Sequence, residues 1–228
     1  MEHIAEKMIH SGGAVYDAVL FDLDGTLTES HPGILSCVKL ALQEMGKPVP
    51  SPDQLRKFIG PPLAYSFTQF CGMTMKEAEE GIERYRFHYN RGGIFECSVY
   101  EGIFPLLKEL KERGVKLAVA TAKPGSMAMR VLEHFGLSAY MDCISANQED
   151  EKGTGKVQLI EAALRELEVS PEKAVMVGDT RFDCEGARLA GVDFAGALYG
   201  YGGEEELEKA GAVKLAASPG ELRRFLLP

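Results

Sequence analysis

The sequence predicts an α/β protein in which a Rossmann-like parallel sheet forms the core and an α-helical cap domain is inserted into it. From about residue 103 onward, short apolar runs alternate with amphipathic helical patterns, which is typical of βαβ units. Between about residues 32 and 100 the pattern indicates helices and no strand. We therefore assign residues 14–31 and 101–228 to the core, 32–100 to the cap and 1–13 to a flexible tail.

Three helices are expected in the inserted segment. Ser51 and Thr74 each stand three residues before a Gln or Glu, which is the capping-box pattern of a helix start. The run Gly-Pro-Pro at residues 60–62 must end the middle helix, because proline lacks the backbone donor that a helix needs. The expected helices cover residues 32–46, 51–58 and 74–92.

The strands of the core are expected to be buried and parallel, because they are nearly continuous apolar runs. The first strand lies within residues 15–21, where β-forming residues precede an acidic turn. The last helix should begin at Ser218, which stands three residues before Glu221. The later strands are expected at residues 115–121, 140–144, 174–177, 192–198 and 213–215, with helices between them.

Composition limits the classes of partner. The chain has 228 residues, 45% of them hydrophobic, and a net charge of -9, which argues against nucleic acid or an anionic membrane as the main partner. The five scattered cysteines and the lack of an apolar leader suggest a reduced, cytoplasmic setting. A phosphorylated metabolite remains a suitable partner if the site is locally positive, and the sequence leaves monomer and homodimer open.

Two carboxylates follow the first strand. Asp22 and Asp24 alternate with Leu23, so both acidic side chains should project to one side while Leu23 turns toward the core. Two ionised carboxylates in one small space repel each other unless a cation neutralises them. The alternative is a surface turn with two solvated aspartates.

Polar residues also follow two later strands, and the ligand site of an open parallel sheet lies at such carboxyl ends. Thr121 and Lys123 follow one strand, and Asp179 and Asp183 follow another. Taken singly, Thr121 could cap a helix, Lys123 could be a solvated surface lysine and Asp183 a first-turn acid. Their convergence with the first acidic pair indicates a functional site.

The string DLDGTLTES at residues 22–30 resembles the first motif of the haloacid dehalogenase superfamily of phosphohydrolases, which use an aspartate nucleophile. Gly178, Asp179 and Asp183 match the later Gly-Asp-x-x-x-Asp motif, and Thr121 matches the motif residue that binds the transferring phosphoryl group. The resemblance implies a sheet core of that family's type with a helical cap between motifs.

The resemblance also requires a lysine that binds phosphate. Lys156 is chosen because it stands one helical turn before Ile160, as such a lysine typically does in the family. Lys152 and Lys123 remain alternatives.

The resemblance assigns the roles. Asp22 is the implied nucleophile, and Asp24 the general acid and base. A Mg²⁺ ion would be held by the Asp22 carboxylate, the Asp24 main-chain carbonyl and Asp179, while Asp183 orients the metal's surroundings rather than binding it. Lys156 would bind phosphate together with the motif threonine.

The cap contributes a weaker match. Residues 58–63 read FIGPPL, which is similar to phosphoglycolate-phosphatase-like members of the superfamily. Arg56 or Lys57, just before this stretch, could select an anionic substrate, although basic residues at a helix end commonly complement its dipole.

The expected activity is therefore a Mg²⁺-dependent phosphatase acting on a small phosphorylated metabolite, similar to phosphoglycolate phosphatase. Within the same superfamily, a 5'-nucleotidase, a pyrophosphatase or a sugar-phosphate mutase are alternatives. A phospho-accepting signalling domain is the non-enzyme alternative. Such a domain is about half this length and has no helical insertion.

Overall fold

The computed structural model describes residues 16–59, 63–148 and 155–227. The tail predicted at residues 1–13, the break at residues 60–62 and Lys152 lie outside these ranges. The strands are Ala18–Phe21 (β1), Thr28–Glu29 (β2), Ser98–Val99 (β3), Lys116–Pro124 (β4), Cys143–Asn147 (β5), Ala174–Gly178 (β6), Asp193–Ala197 (β7) and Leu215–Ala216 (β8).

The α-helices occupy the intervals between strands. Four lie in the predicted cap segment, namely His31–Glu44 (α1), Pro52–Arg56 (α2), Leu63–Cys71 (α3) and Met75–Arg91 (α4). The others are Ile103–Glu112 (α5), Gly125–His134 (α6), Lys156–Leu167 (α7), Arg181–Ala190 (α8), Glu204–Lys209 (α9) and Pro219–Leu226 (α10).

One six-stranded parallel sheet has the order β5-β4-β1-β6-β7-β8. Strand β1 lies between β4 and β6, and Phe21 pairs with Val119 on one side and Val177 on the other. The carboxyl end of β1 is therefore flanked by the carboxyl ends of two neighbours, at the place where an open parallel sheet binds its ligand. The predicted α/β fold is confirmed.

Both faces of the sheet are buried under helices. Val19 and Phe21 belong to the apolar cluster that includes α5, α6 and α10, whereas Ala18 and Leu20 belong to the cluster formed with α7 and α8. This explains why the strands read as continuous apolar runs instead of alternating ones.

Sequence signals located the starts of three helices, α2, α4 and α10. Ser51 and Thr74 both form the predicted capping boxes. Ser218 caps α10 as expected, although the Glu221 carboxylate accepts from the backbone N–H of Ala217 rather than from that of Ser218. Helix α3 was not predicted, since the residues before it include no Ser, Thr, Asp or Asn to mark a start.

The prediction that the segment up to residue 100 contains no strand was wrong. Strand β3 pairs antiparallel with β2, with Thr28 opposite Val99 and Glu29 opposite Ser98. Two-residue strands are too short to show alternation in sequence, and their conformation depends on the partner. This short ladder pairs the residues just before α1 with the residues just before α5.

Three core strands differ in extent from the prediction, and the last of them, β8, begins two residues later than expected, at Leu215. Strand β4 continues three residues past Thr121, to Pro124, with an irregularity in its pairing to β5. Strand β5 begins three residues later than predicted, because residues 137–140 form a short 3₁₀ turn. No helix among the described residues is long and apolar enough to cross a membrane.

Candidate active site

The loop after β1 is tightly folded around its acidic residues. The Asp22 backbone N–H donates to Val177 O at 2.9 Å, which extends the pairing of β1 with β6. The Leu23 carbonyl then accepts from the backbone N–H groups of Leu27 and Thr28 at 3.0 and 2.9 Å. Leu23 itself is fully buried, as the alternation predicted. The loop thereby holds Asp22 and Asp24 at the carboxyl edge of the sheet.

Asp22 lies beside Lys156. The Lys156 Nζ is 3.0 Å from Asp22 Oδ1. Burial raises the pKa of Asp22 to about 6, an effect that the Lys156 charge opposes and the nearby Asp183 charge reinforces. The Lys156 charge therefore favours the ionised form of Asp22, which is the form that a carboxylate nucleophile requires.

Lys156 is the first residue of α7, and its ammonium is enclosed. Its Nζ lies 2.7 Å from Asp183 Oδ1 and donates to Ala120 O at 3.0 Å. Burial disfavours the charge, but Asp183 and Asp22 outweigh it and hold the pKa of Lys156 above its ordinary value. Gly186 of α8 permits this approach, since a Cβ there would lie 2.7 Å from Lys156 Cγ.

Asp179 follows β6 and is fully buried. Its carboxylate accepts from Thr26 Oγ1 at 3.0 Å and from the Tyr201 backbone N–H at 2.8 Å. Burial is the largest cause that raises the pKa of Asp179 well above its ordinary value, followed by the charges of Asp183 and Asp22. Gly25, at φ +86°, allows the loop to pass over this carboxylate, where any Cβ would collide with it.

Asp183 caps its own helix and also contacts Lys156. Its Oδ2 accepts from Thr180 N at 3.0 Å and from Thr180 Oγ1 at 2.8 Å, so it caps the start of α8. Its Oδ1 faces Lys156. A first-turn acid thus also fixes the lysine of the site.

The carboxylates fit a hard divalent cation. Oxygens of Asp22, Asp179 and Asp183 lie within 4.8 Å of one another. Among the described residues, Oδ1 of Asp22 and Oδ1 of Asp183 are buried without a hydrogen bond of good geometry, although Lys156 is within ion-pair distance of both. Three carboxylates and one ammonium leave an excess of negative charge, and oxygen ligands of this kind are those that Mg²⁺ prefers.

Thr121 and Lys123 line the neighbouring strand end. Thr121 is buried on β4, and its Oγ1 accepts from the Lys123 backbone N–H at 3.2 Å. The Lys123 side chain is 6% exposed, and its Nζ lies 2.9 Å from Asp24 Oδ2. The interpretation of Lys123 as a solvated surface lysine was therefore wrong, because it pairs with Asp24 as Lys156 pairs with Asp22.

Three contacts of the site were missed in the sequence. Tyr89 of α4 accepts a hydrogen bond from Lys123 Nζ at 2.7 Å. Thr26 and Tyr201 bind Asp179, as described above. Thr26 lies inside the first motif and could have been found there. Tyr89 and Tyr201 carry no sequence signal, since one comes from a cap helix and the other from a glycine-rich loop.

A cleft of about 1050 Å³ is lined by residues just after α2 and within α3 on one side and by residues of α8 and α9 on the other. Its walls include Lys57 and Tyr65 from the cap side, and Arg181, Phe182 and Tyr201 from the core. Both basic residues predicted to select the substrate are exposed at the end of α2, but only Lys57 is among the described residues that line the cleft. Arg56 is not.

Residues 19–197 match the family model of haloacid dehalogenase-like hydrolases. The chain is 37% identical to a 5'-nucleotidase of Pseudomonas aeruginosa over 92% of its length and 96% of that protein. It is 34% identical to a phosphoglycolate phosphatase of Aquifex aeolicus, over 80% of this chain and 85% of that one. A tyrosine-protein kinase, PtkA of Mycobacterium tuberculosis, is 39% identical over 95% of this chain and 74% of its own length.

The comparison with solved structures leads to the same family. A predicted phosphatase from Clostridium acetobutylicum superposes with a TM-score of 0.82 at 39% identity, covering 92% of this chain and 98% of that one. The family-model match covers well over half of the chain. The protein therefore belongs to the haloacid dehalogenase-like hydrolase family and is a phosphatase of that family, as the sequence predicted.

Proposed function

We propose that the protein is a Mg²⁺-dependent phosphomonoesterase that hydrolyses its substrate through a phosphorylated Asp22. The observation that supports this most is the arrangement around Lys156. One buried ammonium contacts the carboxylates of Asp22 and Asp183, and Asp179 lies in the same cluster. A nucleophile, a cation for the phosphoryl oxygens and ligands for a metal thus occupy one edge of the sheet.

In this proposal, Asp22 attacks phosphorus in line while the P–O bond to the leaving group breaks. Asp24 gives a proton to the departing oxygen, and later takes one from the water that cleaves the Asp22–phosphate bond. Lys156 and the Thr121 hydroxyl bind the equatorial oxygens of the phosphoryl group. The net reaction releases the alcohol and inorganic phosphate.

Asp22, Asp179 and the Asp24 main-chain carbonyl would hold the Mg²⁺, with Asp183 next to it. When bound, the ion offsets the repulsion between the carboxylates and the anionic substrate. Thr26 and Tyr201 hold the Asp179 carboxylate at 3.0 and 2.8 Å and so orient one ligand before the ion binds.

The direct test is phosphate release from a panel of phosphomonoesters, measured in Mg²⁺ and after removal of divalent ions with EDTA. Acid quenching with a ³²P-labelled substrate should leave label on the protein, and the label should be absent from an Asp22→Asn variant. Turnover in Mg²⁺ with no trapped label in repeated rapid quenches would argue for direct attack by water instead.

The cleft adjoins the catalytic residues without containing them, since Thr180 lines it next to Asp179 whereas Asp22, Asp24 and Lys156 do not. A leaving group that extends from the site into this cleft can be larger than that of phosphoglycolate. The cleft volume of about 1050 Å³ lies at the upper end of ordinary ligand sites and far exceeds two carbon atoms and a carboxylate.

Phe182 is 53% exposed in the wall of the cleft, and the Arg181 guanidinium lies 4.7 Å from the centre of its ring. An exposed aromatic ring of this kind stacks well on a nucleobase. A nucleoside 5'-monophosphate is therefore the second candidate substrate.

Two aromatic residues provide a matched test of this candidate. Phe87 on α4 is also 53% exposed and has an arginine, Arg91, 4.6 Å from its ring centre, but it is not among the cleft-lining residues. Phe182→Ala should reduce kcat/KM for nucleotides by about 5- to 100-fold, because one stacked base contributes about 1–3 kcal/mol. Phe87→Ala should leave it unchanged. If phosphoglycolate is the better substrate and both variants behave alike, the nucleotide candidate is wrong.

A further inference from the structure

Three elements meet at the ammonium of Lys123. The residue follows Thr121 on β4, and its Nζ lies 2.9 and 3.3 Å from the two carboxylate oxygens of Asp24 at the end of β1. The same Nζ donates to the Tyr89 hydroxyl on α4 at 2.7 Å and lies 5.1 Å from the centre of the Tyr89 ring. The lysine therefore connects the cap to a carboxylate of the core.

We propose that Lys123 is a positioning residue, which, together with Tyr89 of the cap, holds the Asp24 carboxylate in the orientation that exchanges a proton with the leaving group. This inference rests on the proposed function, in which Asp24 is the general acid and base. It adds a role for two residues that the phosphatase mechanism does not otherwise use.

The geometry supports positioning rather than a chance surface pair. The Asp24 carboxylate is the more exposed partner, with 27% of its side chain accessible against 6% for Lys123. A flexible lysine holds such a group only if its own ammonium is held, and the buried Tyr89 hydroxyl does this from the other side. Tyr89 in turn stacks on Tyr85 of the same helix, with ring centres 5.2 Å apart.

The arrangement depends on the cap. Tyr89 belongs to α4, which packs against α1 within the helical segment, whereas Lys123 belongs to β4 and Asp24 to the loop that follows β1. If the cap moves away, Lys123 loses its hydroxyl partner, and the Asp24 carboxylate is held less firmly. Proton transfer is thereby aligned only while the cap covers the site.

The leaving group provides the test. An aryl phosphate such as p-nitrophenyl phosphate expels a stable phenolate that needs no proton, whereas an alkyl phosphate expels an alkoxide that does. The ratio of kcat/KM for the two substrates therefore reports proton delivery in the first step. Lys123→Met should lower kcat/KM for the alkyl phosphate by about 10- to 100-fold more than for the aryl phosphate, a part of the usual contribution of a general acid.

Further variants test whether Lys123 acts through Asp24 and Tyr89. Lys123→Arg should restore most of the alkyl activity, because it keeps a donor near Asp24. Tyr89→Phe should show the same selective loss at a few-fold size, while Tyr85→Phe, which removes a neighbouring buried hydroxyl, should not. In an Asp24→Asn background, Lys123→Met should cause no further selective loss, because the carboxylate through which it acts is gone.

Other outcomes overturn the proposal. An equal loss for both substrates, a rise in KM alone, or a selective loss that persists in the Asp24→Asn background would mean that Lys123 contacts the substrate itself. If the wild-type protein hydrolyses neither substrate, the proposed function fails instead. Positioning is then decided by a crystal structure of Lys123→Met, in which Asp24 should occupy a different rotamer. An unmoved Asp24 side chain would refute it.

Discussion

Lys156 and Asp22, far apart in the chain, meet with 3.0 Å between Nζ and Oδ1 at the carboxyl edge of the central sheet. The lysine begins α7, and the aspartate follows β1. The contact brings a cation to a carboxylate whose pKa burial has raised to about 6. The lysine therefore favours the ionised, nucleophilic form of Asp22 at neutral pH.

Replacing Asp22 with Asn should abolish turnover while the protein remains folded. The amide keeps the shape of the side chain but removes the nucleophile and one charge of the metal cluster. We expect a loss of activity of at least about a thousandfold, as is common when a nucleophile is removed. Phosphate release together with circular dichroism checks this, and near wild-type activity in the variant would exclude the covalent mechanism.

Activity should depend on Mg²⁺ and be inhibited by Ca²⁺. Ca²⁺ accepts more ligands at longer and more variable distances, so it should bind the carboxylates without holding the reacting groups in line. Titrating Ca²⁺ into a Mg²⁺-supported assay should lower kcat, and excess Mg²⁺ should restore it. Equal rates in EDTA and in Mg²⁺ would remove the metal from the proposal.

Without metal, the buried carboxylates of the site should lower thermal stability as the pH rises from about 4 to about 6. The pKa of Asp22 is raised from 3.8 to about 6, so the folded protein binds more protons than the unfolded chain in this interval. The free energy of unfolding then decreases as pH increases through that window. The buried Asp179 carboxyl, whose pKa is also raised, contributes with the same sign.

The same reasoning predicts a pH-dependent effect of Mg²⁺ on Tm. The ion binds ionised carboxylates, so the increase in Tm on adding Mg²⁺ should be larger at about pH 7.5 than at about pH 5. Differential scanning fluorimetry of the wild type and of Asp179→Asn measures this. An increase that is equal at both pH values, or that survives in the variant, would contradict binding at this cluster.

Replacing Lys57 should impair the hydrolysis of acidic substrates more than replacing Arg56. Lys57 lines the cleft and Arg56 does not, so Lys57→Ala should reduce kcat/KM for phosphoglycolate about tenfold or more, relative to an aryl phosphate. Arg56→Ala is the control for removing an exposed charge at the same helix end. If both variants lose equally on the two substrates, neither residue selects the substrate.

The sequence predicted the sheet well because its strands are buried on both faces. Residues such as Val119 and Val177 belong to apolar runs that only a strand covered on both sides would have. The short β2–β3 ladder was not predictable in this way. Its two residues per strand carry no periodic pattern, and their pairing depends on the surrounding fold.

Part of the site was predictable because the positions of its residues follow from the order of strands and helices. Asp22, Asp179 and Lys156 stand at strand ends or a helix start, so topology alone brings them to one edge. The Lys123–Asp24 pair also depends on the three extra residues of β4 and on Tyr89 from a separate group of helices. Packing of this kind decides where a long side chain such as that of Lys123 points. The order of residues in the sequence does not reveal that direction.

The β2–β3 ladder brings the two ends of the helical segment together. The chain leaves at Glu29 and returns at Ser98, and these two residues are paired neighbours in an antiparallel ladder. The four helices between them thus begin and end at adjacent backbone positions, about 5 Å apart in an ordinary sheet. Their excision would leave a gap that a two-residue hairpin turn spans, at little cost in loop entropy. The ladder therefore sets the spacing that any helical segment inserted between Glu29 and Ser98 has to span.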